Sequence, residues 1–140
     1  MTIPPIVLAS ASPRRRDLLG PIGIKPVAII PADIDETPHR LEPPSCYALR
    51  MAHEKALAAA LSDDIKPSVV VLAGDTVVAV GRRILPKAET EDQARSCLAL
   101  LSGRRHRVYG GITLRLADGT IRSRLVTSSV IFKRLHRDEI

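Results

Sequence analysis

Aromatic side chains are scarce in this 140-residue chain, at 2% of residues with no Trp. Single-stranded nucleic acid is usually bound by stacking its bases on aromatic rings, so this scarcity argues against nucleic acid as a partner. No stretch reaches the roughly 18 apolar residues of a membrane span, and the N-terminus lacks the pattern of an export signal. We therefore expect a soluble, cytoplasmic protein that does not contact membranes.

Cysteines and the common nucleotide motifs are also scarce or missing. Neither Cys46 nor Cys97 has a second Cys or a His at metal-ligand spacing, which predicts two plain buried thiols inside helices. The chain has no glycine-rich loop ending in Gly-Lys-Ser/Thr and no dinucleotide fingerprint. No Ser, His and acid can be assigned as a catalytic triad. The commonest nucleotide-binding folds and triad chemistry therefore lack support.

Charge is distributed unevenly along the chain. The net charge is +6, and all of it comes from residues 104–140, which contain nine basic and three acidic residues. A basic surface of this kind can bind nucleic acid. It can equally be one part of a longer chain whose remainder is acidic.

One apolar stretch, residues 69–80 (VVVLAGDTVVAV), contains a single carboxylate, Asp75. The run before it predicts a strand that is buried on both faces and ends at Asp75. An ionised carboxylate is costly there unless a metal, a cation or a water network pairs with it. The alternative is that Asp75 caps a turn and that Thr76 begins the next strand.

A second candidate site lies where the first predicted strand, residues 3–9, turns into a short helix. Ser12 is a favourable N-cap residue and Pro13 suits the first helical position. Free backbone N–H groups, the hydroxyls of Ser10 and Ser12 and the guanidiniums of Arg14 and Arg15 would meet at this point, which predicts a phosphate site. A solvated basic turn is the alternative.

Two further segments carry charges that could complete such a site. Residues 33–36 contain three acids, which form either a solvated loop or a source of a metal-binding carboxylate. A helix is predicted from the proline pair 43–44 to Leu61, with Lys55 beside its apolar stripe. Lys55 could extend to solvent or could reach a phosphate at the mouth of a cleft.

Apolar periodicity and turn residues predict the remaining elements. Strands are expected over residues 24–30, 105–109, 112–116 and 121–132, with a hairpin over 76–85 and another at the Asp118-Gly119 turn. Thr90 is expected to cap a helix, and residues 135–140 to begin a further one. The apolar stripe of the helix that ends at Leu61 is expected to consist of Leu49, Ala52, Ala56, Leu57 and Ala60.

Six segments in order resemble the Maf, or septum formation inhibitor, family of nucleoside triphosphate pyrophosphatases. They are LASASPRRRDLL at 8–19, DIDET at 33–37, RMAHEKA at 50–56, AGDTVV at 73–78, ILPKAET at 84–90 and LLSGRRHRVYGGI at 100–112. The resemblance implies an α/β fold with a mixed, twisted sheet, packed helices and an elongated, two-lobed shape with a central cleft, like that of inosine triphosphate pyrophosphatases. Residues 1–140 would form a single Maf-like domain, and family chains continue past Ile140.

The resemblance also implies an activity, namely hydrolysis of a nucleoside triphosphate to the monophosphate and pyrophosphate with a divalent metal, expected to be Mg²⁺. Phosphate oxygens would be bound by Ser10, Ser12, Arg14 and Arg15. Lys55 and Lys87 would neutralise charge on the leaving pyrophosphate. Glu36 and Asp75 would hold the metal or activate the attacking water.

Substrate preference within the family follows two positions. Arg15 and Thr76 resemble the type that acts on dTTP and UTP, whereas members that prefer 7-methyl-GTP tend to have an aromatic residue and a glutamine there. One departure is Ala88, where the family usually has proline after the lysine. The alternatives are a 7-methyl-GTP pyrophosphatase and a non-catalytic module that binds nucleic acid or a division protein. A homodimer is a further expectation.

Overall fold

The computed structural model describes residues 3–62, 65–66 and 68–140. This part of the chain forms one mixed six-stranded sheet and three α-helices. The strands are β1 (Ile6–Ala9), β2 (Ala28–Ile29), β3 (Val70–Val80), β4 (Arg83–Leu85), β5 (Arg105–Arg115) and β6 (Ile121–Ile131). The helices are α1 (Pro13–Leu19), α2 (Pro44–Ala60) and α3 (Glu91–Leu101).

The order of the sheet is β2-β1-β3-β5-β6, and β4 adds to β3. Strand β1 runs parallel to β2 and β3, whereas β3, β5 and β6 form an antiparallel meander. The long β3 is therefore the junction between a parallel and an antiparallel half. This confirms the predicted α/β class with a mixed sheet.

The core lies between α2 and the centre of the sheet. Its buried cluster consists of small and β-branched residues from α2, β1 and β3: Ala9, Ala56, Ala59, Val71 and Ala73. Small side chains at both surfaces let the helix approach the sheet closely. The packing of α2 fixes where its polar residues meet β3.

A glycine of β5, Gly111, allows this approach. A Cβ on Gly111 would lie 2.4 Å from the carbonyl oxygen of Ala48 in α2, closer than any side chain tolerates. The neighbouring Gly110 is open by comparison, since its Cβ would meet only the carbonyl oxygen of Val126 at 3.8 Å. The sheet therefore receives the helix backbone at Gly111.

Helix α3 begins as the sequence predicts. The Thr90 hydroxyl accepts a hydrogen bond from the Gln93 backbone N–H, and the Gln93 side chain accepts one from the Thr90 N–H in return. Such a capping box satisfies two free N–H groups. The predicted hairpins are also present, with turns at Gly81 and Gly119, both of which have positive φ.

Several predictions about strands are wrong. β3 does not end at Asp75 and no turn forms there, because β5 pairs with it without interruption from Val71 to Ala79. The two strands predicted on either side of Gly110 are one strand, β5. The second strand, predicted over residues 24–30, is reduced to the exposed pair Ala28–Ile29.

Three other predictions are also corrected. Residues 135–140 form a turn rather than the start of a helix, with the Ile140 N–H bonded to the His136 carbonyl. Cys46 is exposed and Cys97 is half-buried, so neither thiol is the buried one expected. Cys46 is not among the buried residues of α2. Across the described ranges, none of the helices has the length and apolar character needed to cross a membrane.

Candidate active site

The site is built on a short stretch of β3 that has a neighbour on one edge only. β1 pairs with β3 as far as Ala73, and β4 begins to pair at Val78. Among the described residues, 74–77 pair with β5 alone. At about 3.3 Å per residue, roughly 13 Å of the β3 edge between β1 and β4 therefore has no neighbouring strand. Asp75 and Thr76 lie in this gap and point to opposite faces.

On the face covered by α2, Lys55 joins two carboxylates. Its Nζ lies 2.9 Å from Asp75 Oδ1 and 2.9 Å from Glu36 Oε1. The side chains of Lys55 and Asp75 are only 14% and 12% exposed, whereas that of Glu36 is 57% exposed. Lys55 therefore does not extend to solvent, and the acidic loop does supply a carboxylate to the site.

Charge on Lys55 is favoured despite its position. Burial acts to lower the pKa of the ammonium group, but its hydrogen bonds to Glu36 and Asp75 outweigh burial and raise the pKa. Lys55 is thus protonated at neutral pH. A cation held between two carboxylates can meet the negative charge of a phosphate from inside the gap.

On the opposite face, Arg15 lies along the same strand edge. Its guanidinium donates to Ser10 Oγ at 3.2 Å and to Thr76 Oγ1 at 3.3 Å. A Cβ on Gly74 would be 3.4 Å from Arg15 Nε, so the glycine leaves room for the arginine to lie flat. The buried Ser10 also accepts the Ser12 N–H at 3.1 Å. The side chains of Ser10, Arg15 and Thr76 therefore connect the start of α1 to the open edge of β3.

The remaining predicted residues lie further out. Arg14 is exposed on the first turn of α1, and Ser12 is the N-cap residue, although its side chain makes no capping hydrogen bond. Lys87 is exposed in the segment between β4 and α3. Within the described residues, neither Arg14 nor Lys87 forms a hydrogen bond or ion pair with the others. The structure thus brings together Glu36, Lys55 and Asp75 on one face, and Ser10, Arg15 and Thr76 on the other.

Two residues of α2 were missed by the sequence reasoning. The Tyr47 hydroxyl donates to the Glu36 carbonyl, and Arg50 donates to the Thr37 carbonyl at 3.1 Å. The pKa of Tyr47 is raised, mainly by burial and then by the negative charges of Asp75 and Glu36. Arg50 opens the RMAHEKA motif, and its position ahead of Lys55 was the available signal.

Glu36 and Asp75 are suitable ligands for a divalent cation. Mg²⁺ is commonly held by one or two carboxylates, with phosphate oxygens and waters completing its shell. Both carboxylates already converge on one positive charge, the Lys55 ammonium. No cluster of three or more His, Cys, Asp or Glu side chains occurs among the described residues, so phosphate oxygens or waters would complete the shell of an ion bound here.

Two grooves lie away from this cluster. One of about 420 Å³ separates β4 from α3, and another of about 670 Å³ lies beside the segment from Gly20 to Ile29. Neither is lined by Lys55 or Asp75. The chemistry-bearing residues thus lie apart from both grooves, along the open edge of β3.

Comparison with protein families matches residues 5–140 to the Maf-like protein model. The chain belongs to the Maf family. A protein named dTTP/UTP pyrophosphatase from Mesorhizobium japonicum is 59% identical over 139 residues, which cover 96% of this chain and 66% of that protein. Proteins of the same name from Paramagnetospirillum magneticum and Novosphingobium aromaticivorans are 59% and 53% identical. The chain spans about two thirds of the length of these relatives.

Solved structures agree with the fold. A HAM1 protein from Coxiella burnetii superposes with a TM-score of 0.58 at 19% identity, covering 96% of this chain and 76% of that one. The Staphylococcus aureus Ham1 protein gives 0.56 at 18% identity, covering 90% and 70%. At this level of identity the likeness concerns the fold alone.

Proposed function

We propose that this chain hydrolyses dTTP and UTP to the nucleoside monophosphate and pyrophosphate. The observation that carries the proposal is Lys55, held between Glu36 and Asp75 at the open edge of β3. Arg15 lies on the other face of the same edge. The names of relatives at 53–59% identity support this choice of reaction and substrates.

In this mechanism the triphosphate binds along the open edge. Arg15 and the N-terminal turn of α1, with Ser10, Ser12 and Arg14, bind phosphate oxygens through charge-assisted hydrogen bonds. Lys55, and Lys87 from its exposed loop, neutralise charge that develops on the leaving pyrophosphate. Because phosphoryl transfer needs mainly positioning and electrostatic stabilisation, this set of cations suits it.

The carboxylates act on the nucleophile. Water attacks the α-phosphorus, a new P–O bond forms, and the bond from the α-phosphorus to the bridging oxygen breaks. Glu36 and Asp75 orient this water, and one of the two carboxylates accepts its proton, while pyrophosphate leaves with the bond's electron pair. Mg²⁺, when bound by Glu36 and Asp75, would supply charge neutralisation at the phosphates.

Thr76 and Arg15 support the pyrimidine preference, since this pair resembles the dTTP/UTP type of the family. The same two residues are in contact, at 3.3 Å. A cytoplasmic location, expected from the lack of an apolar span and an export signal, stays a prediction, as does the homodimer that the family resemblance implies.

The test is pyrophosphate release from dTTP, UTP, 7-methyl-GTP and dATP, with Mg²⁺ present and folding checked by circular dichroism. We expect turnover of dTTP and UTP that falls by about 10²–10⁴ in Asp75→Asn. Asp118→Asn is the matched control, because Asp118 lies in the β5–β6 hairpin turn and, among the described residues, its side chain bonds only to Thr120 of the same turn. Preference for 7-methyl-GTP would support the narrower alternative. A folded chain with no turnover would refute the proposal, and salt-sensitive DNA binding lost on charge reversal of Arg122 and Arg124 would then favour the binding module.

A further inference from the structure

We propose that Arg50 and Tyr47 are positioning residues. They hold Glu36 at Lys55 by donating hydrogen bonds to the backbone of the loop that carries Glu36. This inference rests on the proposed function, because the role of Glu36 in the reaction belongs to that proposal. Neither residue contacts Lys55 or Asp75 through a hydrogen bond or ion pair in the described structure. Their effect on the reaction would pass through Glu36.

Glu36 needs such support because little else fixes its position. Its side chain is 57% exposed, so packing contributes little. It lies in residues 30–43, which contain neither helix nor strand. A carboxylate on such a loop reaches the same Lys55 Nζ each time only if the backbone is anchored.

The anchors come from one helix and act on two consecutive carbonyls. Tyr47 donates its hydroxyl to the Glu36 carbonyl, and Arg50 donates Nη2 to the Thr37 carbonyl at 3.1 Å. Positions three apart on a helix lie on the same side, so both donors face the loop together. Because α2 also carries Lys55, the same helix fixes the positions of both the loop and the lysine.

Arg50 is itself firmly held. Its Nε and Nη2 bond to Glu42 at 2.7 and 2.8 Å, which closes the far end of the loop against α2. Its Nη1 reaches Glu54 at 3.3 Å, and its guanidinium lies 5.6 Å from the centre of the Tyr47 ring. The planar guanidinium donates to fixed partners on both of its sides, which the single ammonium group of a lysine cannot do.

The loop between these contacts carries backbone strain. Leu41 has a φ of 61° although it is not glycine, and it is 87% exposed, so no burial offsets that conformation. Such conformations persist only where neighbouring contacts determine them. The contacts on either side are Arg50 with Thr37, and Glu42 with both Arg50 and the His39 N–H at 3.0 Å.

The test compares Arg50→Lys and Tyr47→Phe with Arg95→Lys. Arg95 is the matched control, because it also pairs with a glutamate one helical turn away but lies on the exposed face of α3. We expect kcat for dTTP to fall by about 10–100-fold in Arg50→Lys and less in Tyr47→Phe, with KM changed little. Arg95→Lys should match the wild type.

A double-mutant cycle separates positioning from general destabilisation. If Arg50 acts through Glu36, Arg50→Lys should change the residual rate of Glu36→Gln by no more than about twofold. An equal loss in both backgrounds would overturn the proposal. So would wild-type turnover by a folded Arg50→Lys variant.

A second readout does not depend on turnover. Backbone order parameters from NMR relaxation should fall at Glu36 and Thr37 in Arg50→Lys, because the Thr37 carbonyl loses its guanidinium donor, and should stay unchanged in Arg95→Lys. Order parameters in Arg50→Lys equal to those of the wild type overturn the proposal whatever the rates. If the wild type hydrolyses nothing but these order parameters respond as expected, the proposed function fails and the positioning role stands.

Discussion

Gly111 lies directly across from Asp75 in the β3–β5 ladder, at the point where the carbonyl oxygen of Ala48 reaches the sheet. Lys55 is seven residues, or about 10 Å, further along the same helix. The contact at Gly111 thus sets the height of α2 above Asp75. The ion pair between Lys55 and Asp75 therefore depends on Gly111, a residue without a side chain, in the neighbouring strand.

Gly111→Ala should therefore destabilise the fold and separate Lys55 from Asp75. The added methyl would lie 2.4 Å from the Ala48 carbonyl oxygen, a backbone atom that cannot rotate away as a side chain could, so α2 must move. We expect a loss of about 3 kcal/mol in the free energy of unfolding, measured by urea denaturation. Gly110→Ala is the control, because its Cβ would lie at an ordinary van der Waals distance, 3.8 Å, from the Val126 carbonyl oxygen. Equal stability of the two variants would show that α2 is not seated on Gly111.

Lys55→Met should cost stability because it leaves Asp75, 12% exposed, without its partner. We expect a loss of about 1–3 kcal/mol, partly recovered in the double variant with Asp75→Asn. Lys133→Met removes a pair of similar length, 2.8 Å, from a side chain that is 71% exposed. That control should cost less than about 1 kcal/mol. If Lys55→Met is equally mild, the pair at β3 is no more than a surface contact.

Much of the fold was predictable because local signals agree with the structure. The Pro13 and Pro44 helix starts, the Thr90 cap and the Asp118-Gly119 turn each depend on neighbouring residues. The error at Asp75 has a different origin. A strand was expected to end at a charged residue, but pairing with β5 carries β3 through it, and Lys55 compensates the charge from a distant part of the sequence.

In the candidate site, too, local motifs were informative whereas long-range contacts could not be predicted. The motifs indicated Glu36, Lys55 and Asp75, and these three do meet. Pattern alone could not indicate Tyr47, because it acts through the Glu36 backbone carbonyl, which every residue possesses. Of the apolar stripe predicted on α2, Ala52 and Ala56 are buried as expected, but Leu49 and Leu57 are not. Ala48 and Met51 are buried in addition. Alanine packs there because Gly111 lies opposite, a long-range relationship.

Thr76→Val should weaken substrate binding more than chemistry. The change keeps the shape of the side chain but removes the oxygen that accepts from Arg15 at 3.3 Å, so the guanidinium loses one of its two fixed contacts. We expect KM for dTTP to rise about tenfold with kcat nearly unchanged. Thr127→Val, on the exposed surface of β6, is the control. A fall in kcat with constant KM would instead place Thr76 in the chemical step.

The Arg50–Glu42 pair should make stability depend on acid pH. The hydrogen bond from Arg50 lowers the pKa of Glu42 from 4.5 to about 2. A depressed carboxyl pKa stabilises the fold above the unfolded value, and this contribution is lost as pH falls from 4.5 toward about 2. The slope contributed by one group is at most about 1.4 kcal/mol per pH unit.

Urea denaturation between pH 2 and 6 measures this slope. Glu42→Gln should flatten this slope, because the amide, unlike the carboxylate, takes up no proton when the chain unfolds. Glu91→Gln is the matched control, since Glu91 pairs with Arg95 but is 78% exposed. If the wild type and Glu42→Gln lose stability in parallel on acidification, Glu42 is not held by Arg50 in solution. The loop that carries Glu36 would then lack its far anchor.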